Sequence, residues 1–562
     1  MSEPSIVVLG AGAAGLKAAA RARRLLPAAH VTVVDRCETI PCGACGLPLY
    51  LGGEIDSLDP LCRTSYGALR DPDFFRLTKD ITVLTGRRIV ALDRDASAVT
   101  VEQTGDGSER VMLMYDKLVY ALGARPWMPA SVERGPAVLA LTTAAAASEL
   151  RRDLQNGAVT SCAVLGGGCA GVEIAAALAD LWGCEVTLLE AEDRLLPRLL
   201  DADLSGIVAA ELARAGVRVR TGCAVTAAAT AGGHAVVTTS EGSLTVDRAV
   251  VALGTAPRGE LARAAGLAVG ALGGLVVDAN LRTSDPAILA AGDCIELVHH
   301  TSGEVCRMPV GSLASRQGRV AGDALAGLDT EFPAVVGSLA IKVLNLNIAA
   351  TGLTAAAAQA AGLDPVATLG SFDDRLHIHP DRSLIHLALV HEAGSDRLLG
   401  LQAVGPGDAV KRVDVFASLL RQDGDLADLL DAEFCFAPAY NTLLDPLHDL
   451  AAAALDPRVF GIEQAPLRGA AAGRLLLDVR TTAEYAAGAS CLPPGSIHIP
   501  LAELRSRAHE LPPGQPLLIA CAKGSRSFEA ARILRECGFT DLVYLAGGIA
   551  LWGGAAPASR NR

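Results

Sequence analysis

Two glycine-rich turns constrain this chain more than any other feature: GAGAAG at 10–15 and GGGCAG at 166–171. Each follows a short β-branched apolar run, Ser5–Leu9 in the first case and 162–165 in the second. Each opens a stretch with helical character, over 16–26 and on through 181, and each is followed by a second apolar strand, 31–34 and 186–189, that ends on a carboxylate. Strand, glycine turn, helix, strand and acid at about 20 residues' distance make a βαβ unit built to hold a dinucleotide. A pattern that occurs twice predicts two Rossmann-like modules in one α/β chain. Matching pieces at 115–123 (YDKLVYALG) and 246–254 (VDRAVVALG) close the two modules, and ILAAGD at 288–293 adds a strand that ends in a carboxylate turn.

The spacing gives each residue a task. Gly10 and Gly166 permit the tight turn, Gly12 and Gly168 let a pyrophosphate approach the backbone, and Gly15 and Gly171 let helix meet strand. The unpaired N–H groups at the helix start face the phosphates. Asp35 and Glu190 are placed to accept hydrogen bonds from a ribose. An acid there favours the free 2′-hydroxyl of NADH, while Arg194, four residues beyond Glu190, leaves room for NADPH. Ala13, Ala14, Arg36, Ala121, Gly123, Gly254, Gly292 and Asp293 complete the set of candidate cofactor-binding positions.

A chain of 562 residues exceeds one core and predicts about three or four domains. We place the first dinucleotide module at 1–150 with 255–330, the second at 151–254, a mixed α+β module at 331–455, a Pro- and Gly-containing linker at 456–473, and a small α/β domain at 474–556. A formal charge of −13 argues against nucleic acid or an anionic membrane as partner. No apolar run reaches the roughly 20 residues that span a bilayer. Neither end reads as a targeting signal, and 14 cysteines are too sparse for a disulfide scaffold, so reduced thiols in a cytoplasmic protein are expected.

Two cysteines stand out. Cys45 lies in GACGLP at 43–48, just beyond the first module's second strand, where Gly43, Gly46 and Pro48 bend the backbone. Cys42 makes the run CGAC, so a redox dithiol is an alternative to a single reactive thiol. A zinc site would need a second ligand pair, and none has suitable spacing, so no metal is expected. Cys521 opens CAKGSRS between a strand and a helix. Its loop N–H groups, with Arg526 and the helix dipole, would stabilise a thiolate or persulfide anion, with Lys523 and Gly524 in the loop and Asp478, Arg480 and Glu484 bracing it.

On these motifs, 1 to about 454 resembles the single-cysteine branch of the flavin disulfide reductases, which holds coenzyme A disulfide reductase, NADH oxidase and NADH peroxidase. The carrying pieces are GAGAAG, CGLPLYLGG, ALGTAP, AAGDC, AVGPGDAVKRVDV and FAPAY. The stretch 474–552 resembles a rhodanese domain through LLDVRTTAEY, CAKGSRS and LAGGIALW. Together they resemble the coenzyme A disulfide reductase–rhodanese fusions, which include NADH-dependent persulfide and polysulfide reductases. The resemblance implies FAD in the first module and NADH in the second. It further implies Asp293 at the flavin's ribityl chain, Cys45 as the redox cysteine, Cys521 as a sulfur carrier, and a homodimer formed through the third module. Its substrates would be a persulfide, a polysulfide or a small thiol disulfide, coenzyme A included. Arg24 stands where the family contacts coenzyme A. The family's S-F-x-N-C is replaced by Pro41-Cys42-Gly43-Ala44-Cys45, one family tyrosine is Phe436, and another falls at Ile378-His379-Pro380. A thiol carrier other than coenzyme A is therefore an alternative. Tyr440 or His379 would protonate the leaving sulfur. Three rival readings stay open: an NADH oxidase or peroxidase using a Cys45 sulfenic acid, a Cys42–Cys45 dithiol reductase, and a sulfur-relay or sensing protein.

Overall fold

The computed structural model describes residues 3–40, 43–105, 109–467, 469–488 and 492–555. They form two compact units, the first from Met1–Gly166, Ala177–Leu189 and Ala224–Val335, the second from Gly167–Ala176, Glu190–Cys223 and Val336–Arg562.

In the first unit, Ser5–Leu9 sits at the centre of a five-stranded parallel sheet ordered Ile288–Ala290, Lys117–Tyr120, Ser5–Leu9, His30–Val34, Thr82–Leu84. Beyond their first residues the central strands are mostly apolar and buried, as in a parallel sheet covered on its faces. The helix Ala13–Leu25 buries mostly alanine (Ala14, Ala18, Ala19 and Ala22), so its backbone can approach closely. The helix Gly311–Leu325 exploits this: a Cβ on Gly318 would lie 2.3 Å from the Ala14 carbonyl oxygen. An antiparallel sheet of Arg87–Asp93, Ala98–Gln103 and Arg110–Met114 flanks it in sequence. The second expected module contributes the parallel strands Glu185–Leu189, Ser161–Leu165 and Arg248–Val251 in that order, and Val138–Leu139, which precedes the module in sequence, pairs with Arg248–Val251.

In the second unit, Leu339–Val343, Leu346–Gly352, Leu398–Gly405, Leu384–Glu392 and Pro365–Asp373 form an antiparallel sheet in that order. The helices Val410–Leu420 and Pro446–Phe460 close a core around Phe416, Leu387 and Leu450. Two of these strands escape sequence reading because LNIAATG and PVATLGSFD mix Gly, Ala, Asn and Pro into weak β formers. The C-terminal domain is a parallel sheet ordered Glu463–Ala465, Leu542–Leu545, Leu517–Ala520, Leu475–Asp478, Ile497–His498.

The expected linker at 456–473 is corrected in part. Its first residues continue the helix Pro446–Phe460 through Pro457, and Glu463–Ala465 is already an edge strand of the last domain. Pro457 lies in the last turn of this helix, which ends at Gly461 in the left-handed conformation. No helix among the described residues is long and apolar enough to cross a membrane.

Candidate active site

The first glycine turn is shaped as its spacing requires. Gly10 has φ +104°, and a Cβ there would lie 2.3 Å from the Ala121 carbonyl oxygen; a Cβ on Gly15 would lie 1.9 Å from the Gly10 carbonyl oxygen. Around Gly12, by contrast, a Cβ would meet nothing within 4 Å. That open space beside a helix N-terminus is where a pyrophosphate fits. The buried Asp35 carboxylate accepts from the N–H of Ala11 (2.8 Å) and of Cys37 (2.9 Å), which fixes the turn against the strand end. Arg36 beside it is exposed.

Gly12 and Ala13 line a cleft of about 980 Å³, together with Cys45, Arg24 and Asp293. Gly292 (φ +89°) donates its N–H to Gln317 at 2.7 Å and turns the chain so that Asp293 enters this cleft. The Asp293 carboxylate takes no hydrogen bond or ion pair from the described residues, and burial pushes its pKa up. A carboxylate without a partner among the described residues, beside the open glycine turn at Gly12, fits a polar ligand such as the ribityl–pyrophosphate portion of FAD. Cys45 is exposed and lies in a 3₁₀ turn, Ala44–Gly46, that leads into the short helix Leu47–Leu51. The turn is tightly packed, since a Cβ on Gly46 would lie 2.5 Å from Leu61. Cys42 lies outside the described residues. Beyond the expected Arg24, the cleft gathers Lys17, Arg21, Arg70, Lys79 and Arg319. Sequence reading missed these cations because they come from four separate segments.

The second glycine turn repeats the geometry. Gly166 has φ +108° with a virtual Cβ 2.5 Å from the Ala252 carbonyl oxygen, while Gly168 opens onto empty space. Glu190 mirrors Asp35, accepting from Gly167 (2.7 Å) and Glu192 (2.9 Å). Gly171 lies within the helix Cys169–Asp180. Arg194 is engaged with the carbonyls of Leu200 (3.2 Å) and Pro197 (3.4 Å) and with Asp193 (2.9 Å). It is thereby drawn away from service as a free 2′-phosphate receptor. Gly123 (φ +65°) and Gly254 (φ +102°) sit at the turns that close the two modules, joined by bonds from Arg258 N–H to the Gly123 carbonyl and from Trp127 N–H to the Gly254 carbonyl.

In the C-terminal domain Cys521 is buried, and its Sγ accepts from the Gly524 N–H at 3.1 Å. Gly524 (φ +115°) completes the loop before the helix Ser525–Glu536. Gly548 backs it so closely that a Cβ there would lie 2.5 Å from the Lys523 nitrogen. Arg526 forms a bidentate pair with Glu484, at 2.7 Å on each oxygen, and that guanidinium holds the Glu484 pKa down at about 2. The expected positive potential from Arg526 is thus already matched by a carboxylate. Asp478 and Arg480 pair with each other (2.7 Å) at the end of Leu475–Asp478.

His379, Phe436 and Tyr440 belong to the second unit. Phe436 is 47% exposed and Tyr440 70%, next to exposed Leu443 and Leu444. One residue without an assigned role organises both segments that carry them. Arg412, with no exposed side-chain surface, donates to the Asp374 carbonyl (2.8 Å) and the Asn441 side chain (3.1 Å) and pairs with Asp445 (3.2 Å). Asn441 in turn donates to the Cys435 carbonyl (3.4 Å). Arg412→Met is expected to cost about 3–5 kcal/mol, because Asp445 would be left buried without its cation. Chemical denaturation of the full chain checks this, and a midpoint unchanged from wild type refutes it.

The model for pyridine nucleotide-disulphide oxidoreductases matches residues 4–318, its dimerisation domain 339–445, and the rhodanese-like domain 464–555. The solved NAD-dependent persulfide reductase from A. fulgidus superposes with a TM-score of 0.92 at 36% identity, covering 98% of this chain and 100% of that one. The reduced CoADR-RHD of Bacillus anthracis gives 0.87 at 28% identity, covering 99% and 98%. Among curated relatives, the NAD(P)H sulfur oxidoreductase (CoA-dependent) of Pyrococcus abyssi is 30% identical over 450 residues, 80% of this chain and 97% of that protein.

Proposed function

The chain belongs to the pyridine nucleotide-disulphide oxidoreductase family, and we propose that within it the enzyme reduces the sulfane sulfur of a persulfide or polysulfide with NADH, through Cys45, while Cys521 carries sulfane sulfur. The observation that carries this reading is the meeting, in one cleft, of an exposed thiol, the open Gly12 turn and the Asp293 carboxylate, which has no partner among the described residues.

The Gly10–Gly15 turn and Asp293, with Asp35 fixing the turn, would hold FAD, which would supply two-electron chemistry between NADH and sulfur. The chain's own residues do the rest. The Cys45 thiolate attacks the outer sulfur of a persulfide, the S–S bond breaks, and the thiol departs with a proton. Cys45 then carries the sulfur as its own persulfide. Two-electron reduction of that persulfide releases sulfide and restores the thiolate. The cations of the cleft suit an anionic thiol carrier of the coenzyme A class. The exposed apolar residues Phe436, Leu443 and Leu444 are the surface a second copy of this chain would cover, and Tyr440 among them, or His379, is the proton donor we assign to the departing thiol. The twelve described cysteines are all free, which fits a reducing, cytoplasmic setting.

The direct test is anaerobic NADH oxidation by the holoenzyme with glutathione persulfide, scoring sulfide. We expect one sulfide per NADH, and NADPH to be the poorer donor because Arg194 is engaged. Turnover with oxygen or peroxide but not with persulfide would overturn this reading in favour of sulfenic acid chemistry at Cys45.

A further inference from the structure

The Cys521 loop carries two cations, and each already has a carboxylate. Arg526 is held by Glu484 within its own domain. Lys523 is held from outside it: its Nζ lies 2.5 Å from Oδ2 of Asp373, the last residue of the antiparallel-sheet strand Pro365–Asp373. The Asp373 side chain is 19% exposed and that of Lys523 39%, so the pair sits at a partly screened edge of the loop.

Asp373 is not free to swing away. Four residues upstream, the Gln464 side chain accepts from the Leu369 N–H at 3.0 Å and donates to the Tyr544 hydroxyl at 3.0 Å, tying that strand to the C-terminal sheet. Two residues upstream, Ser371 shares a hydrogen bond with His386 (2.7 Å), and a Cβ on Gly547 would lie 2.9 Å from its Oγ. Gly547 belongs to the turn that backs the Cys521 loop. The strand end is therefore fixed against the loop, and the lysine charge is neutralised by placement.

We propose that Asp373 determines the donor specificity of Cys521: by holding Lys523 it leaves the loop without net positive charge, and so disfavours dianionic donors such as thiosulfate against persulfides whose charges lie far from the reacting sulfur. This rests on Cys521 being the sulfur carrier. With thiosulfate, the Cys521 thiolate attacks the outer sulfur, the S–S bond breaks, and sulfite leaves with the bonding pair. With a persulfide, the same attack expels the thiolate, which takes up the persulfide proton. Both routes give a Cys521 persulfide. Cyanide then attacks its outer sulfur, forming thiocyanate and restoring the thiolate, so no further oxidant or reductant is consumed. Only the first route brings two negative charges to the loop, and there a free Lys523 would count.

The test uses the full-length holoenzyme and measures thiocyanate formed from thiosulfate and from glutathione persulfide. Asp373→Asn is expected to raise kcat/KM for thiosulfate about 5- to 20-fold at low salt, with persulfide within about twofold, and the gain should fade towards 1 M salt. Asp373→Glu keeps the pair and should stay near wild type, and Asp373→Asn combined with Lys523→Ala should lose the gain. An unchanged donor ratio, or equal loss with both donors, overturns the role of Asp373. Transfer that survives Cys521→Ser overturns the carrier reading instead.

Discussion

Cys45→Ser is expected to lower NADH-dependent sulfide release from glutathione persulfide by about 10³-fold or more, because a hydroxyl cannot replace a thiolate as nucleophile or hold a persulfide. The effect should be confined to that chemistry. Cys45 is exposed, and the turn around it is fixed by the packing of Gly46 against Leu61 rather than by the sulfur. Flavin content and Cys521-dependent thiocyanate formation should both stay near wild type. Stopped-flow NADH oxidation and a sulfide assay on the same preparation decide the matter. Retained turnover would remove Cys45 from the reaction and direct attention to Cys42. In the single-thiol reading Cys42→Ser causes only a modest loss.

Gly15→Ala is the second large effect. Its new Cβ would fall 1.9 Å from a backbone oxygen, a contact that no side-chain rotation relieves. The helix must move off the strand, at a cost at the upper end of the roughly 1–3 kcal/mol seen for overpacking, and the phosphate cradle moves with it. Purified protein should be largely free of flavin and melt early. Gly12→Ala is the informative contrast. Its Cβ meets nothing within 4 Å, so the apoprotein should melt as wild type does, yet the methyl occupies the space a pyrophosphate needs. Flavin absorbance and thermal melting separate the two. A Gly12→Ala protein with full flavin would show that the cradle has been assigned wrongly.

The features legible in sequence were those encoded locally. Glycines at fixed offsets, the carboxylates Asp35 and Glu190, and the CAKGSRS loop each depend on a few consecutive residues, and the turns at Gly10 and Gly166 have the tight backbone that their spacing requires. What escaped was encoded by distance. Asp373 meets Lys523 across 150 residues, and nothing near either signals the other. Arg412 reads as an ordinary helical cation within VKRVDV, although it is wholly buried under two loops. The cations around Cys45 come from separate segments and become a site only through folding. The strand Pro365–Asp373 was lost because a pairing partner stabilises it where its own composition does not.

The parallel sheet that carries Ser5–Leu9 bears on how this protein is born. Its edge strand Ile288–Ala290 pairs with Lys117–Tyr120, yet the ribosome makes the two some 170 residues apart, with the entire second dinucleotide module between them. At about 5–20 residues per second, the nascent chain spends on the order of ten seconds or more with the edge of Lys117–Tyr120 uncovered. Asp293 and the helix Gly311–Leu325 emerge later still. Productive cofactor loading therefore waits until more than half of the chain has been synthesised. Until then the unfinished sheet presents open hydrogen-bonding groups and apolar surface, the kind of intermediate that chaperones hold and that aggregates when they are scarce.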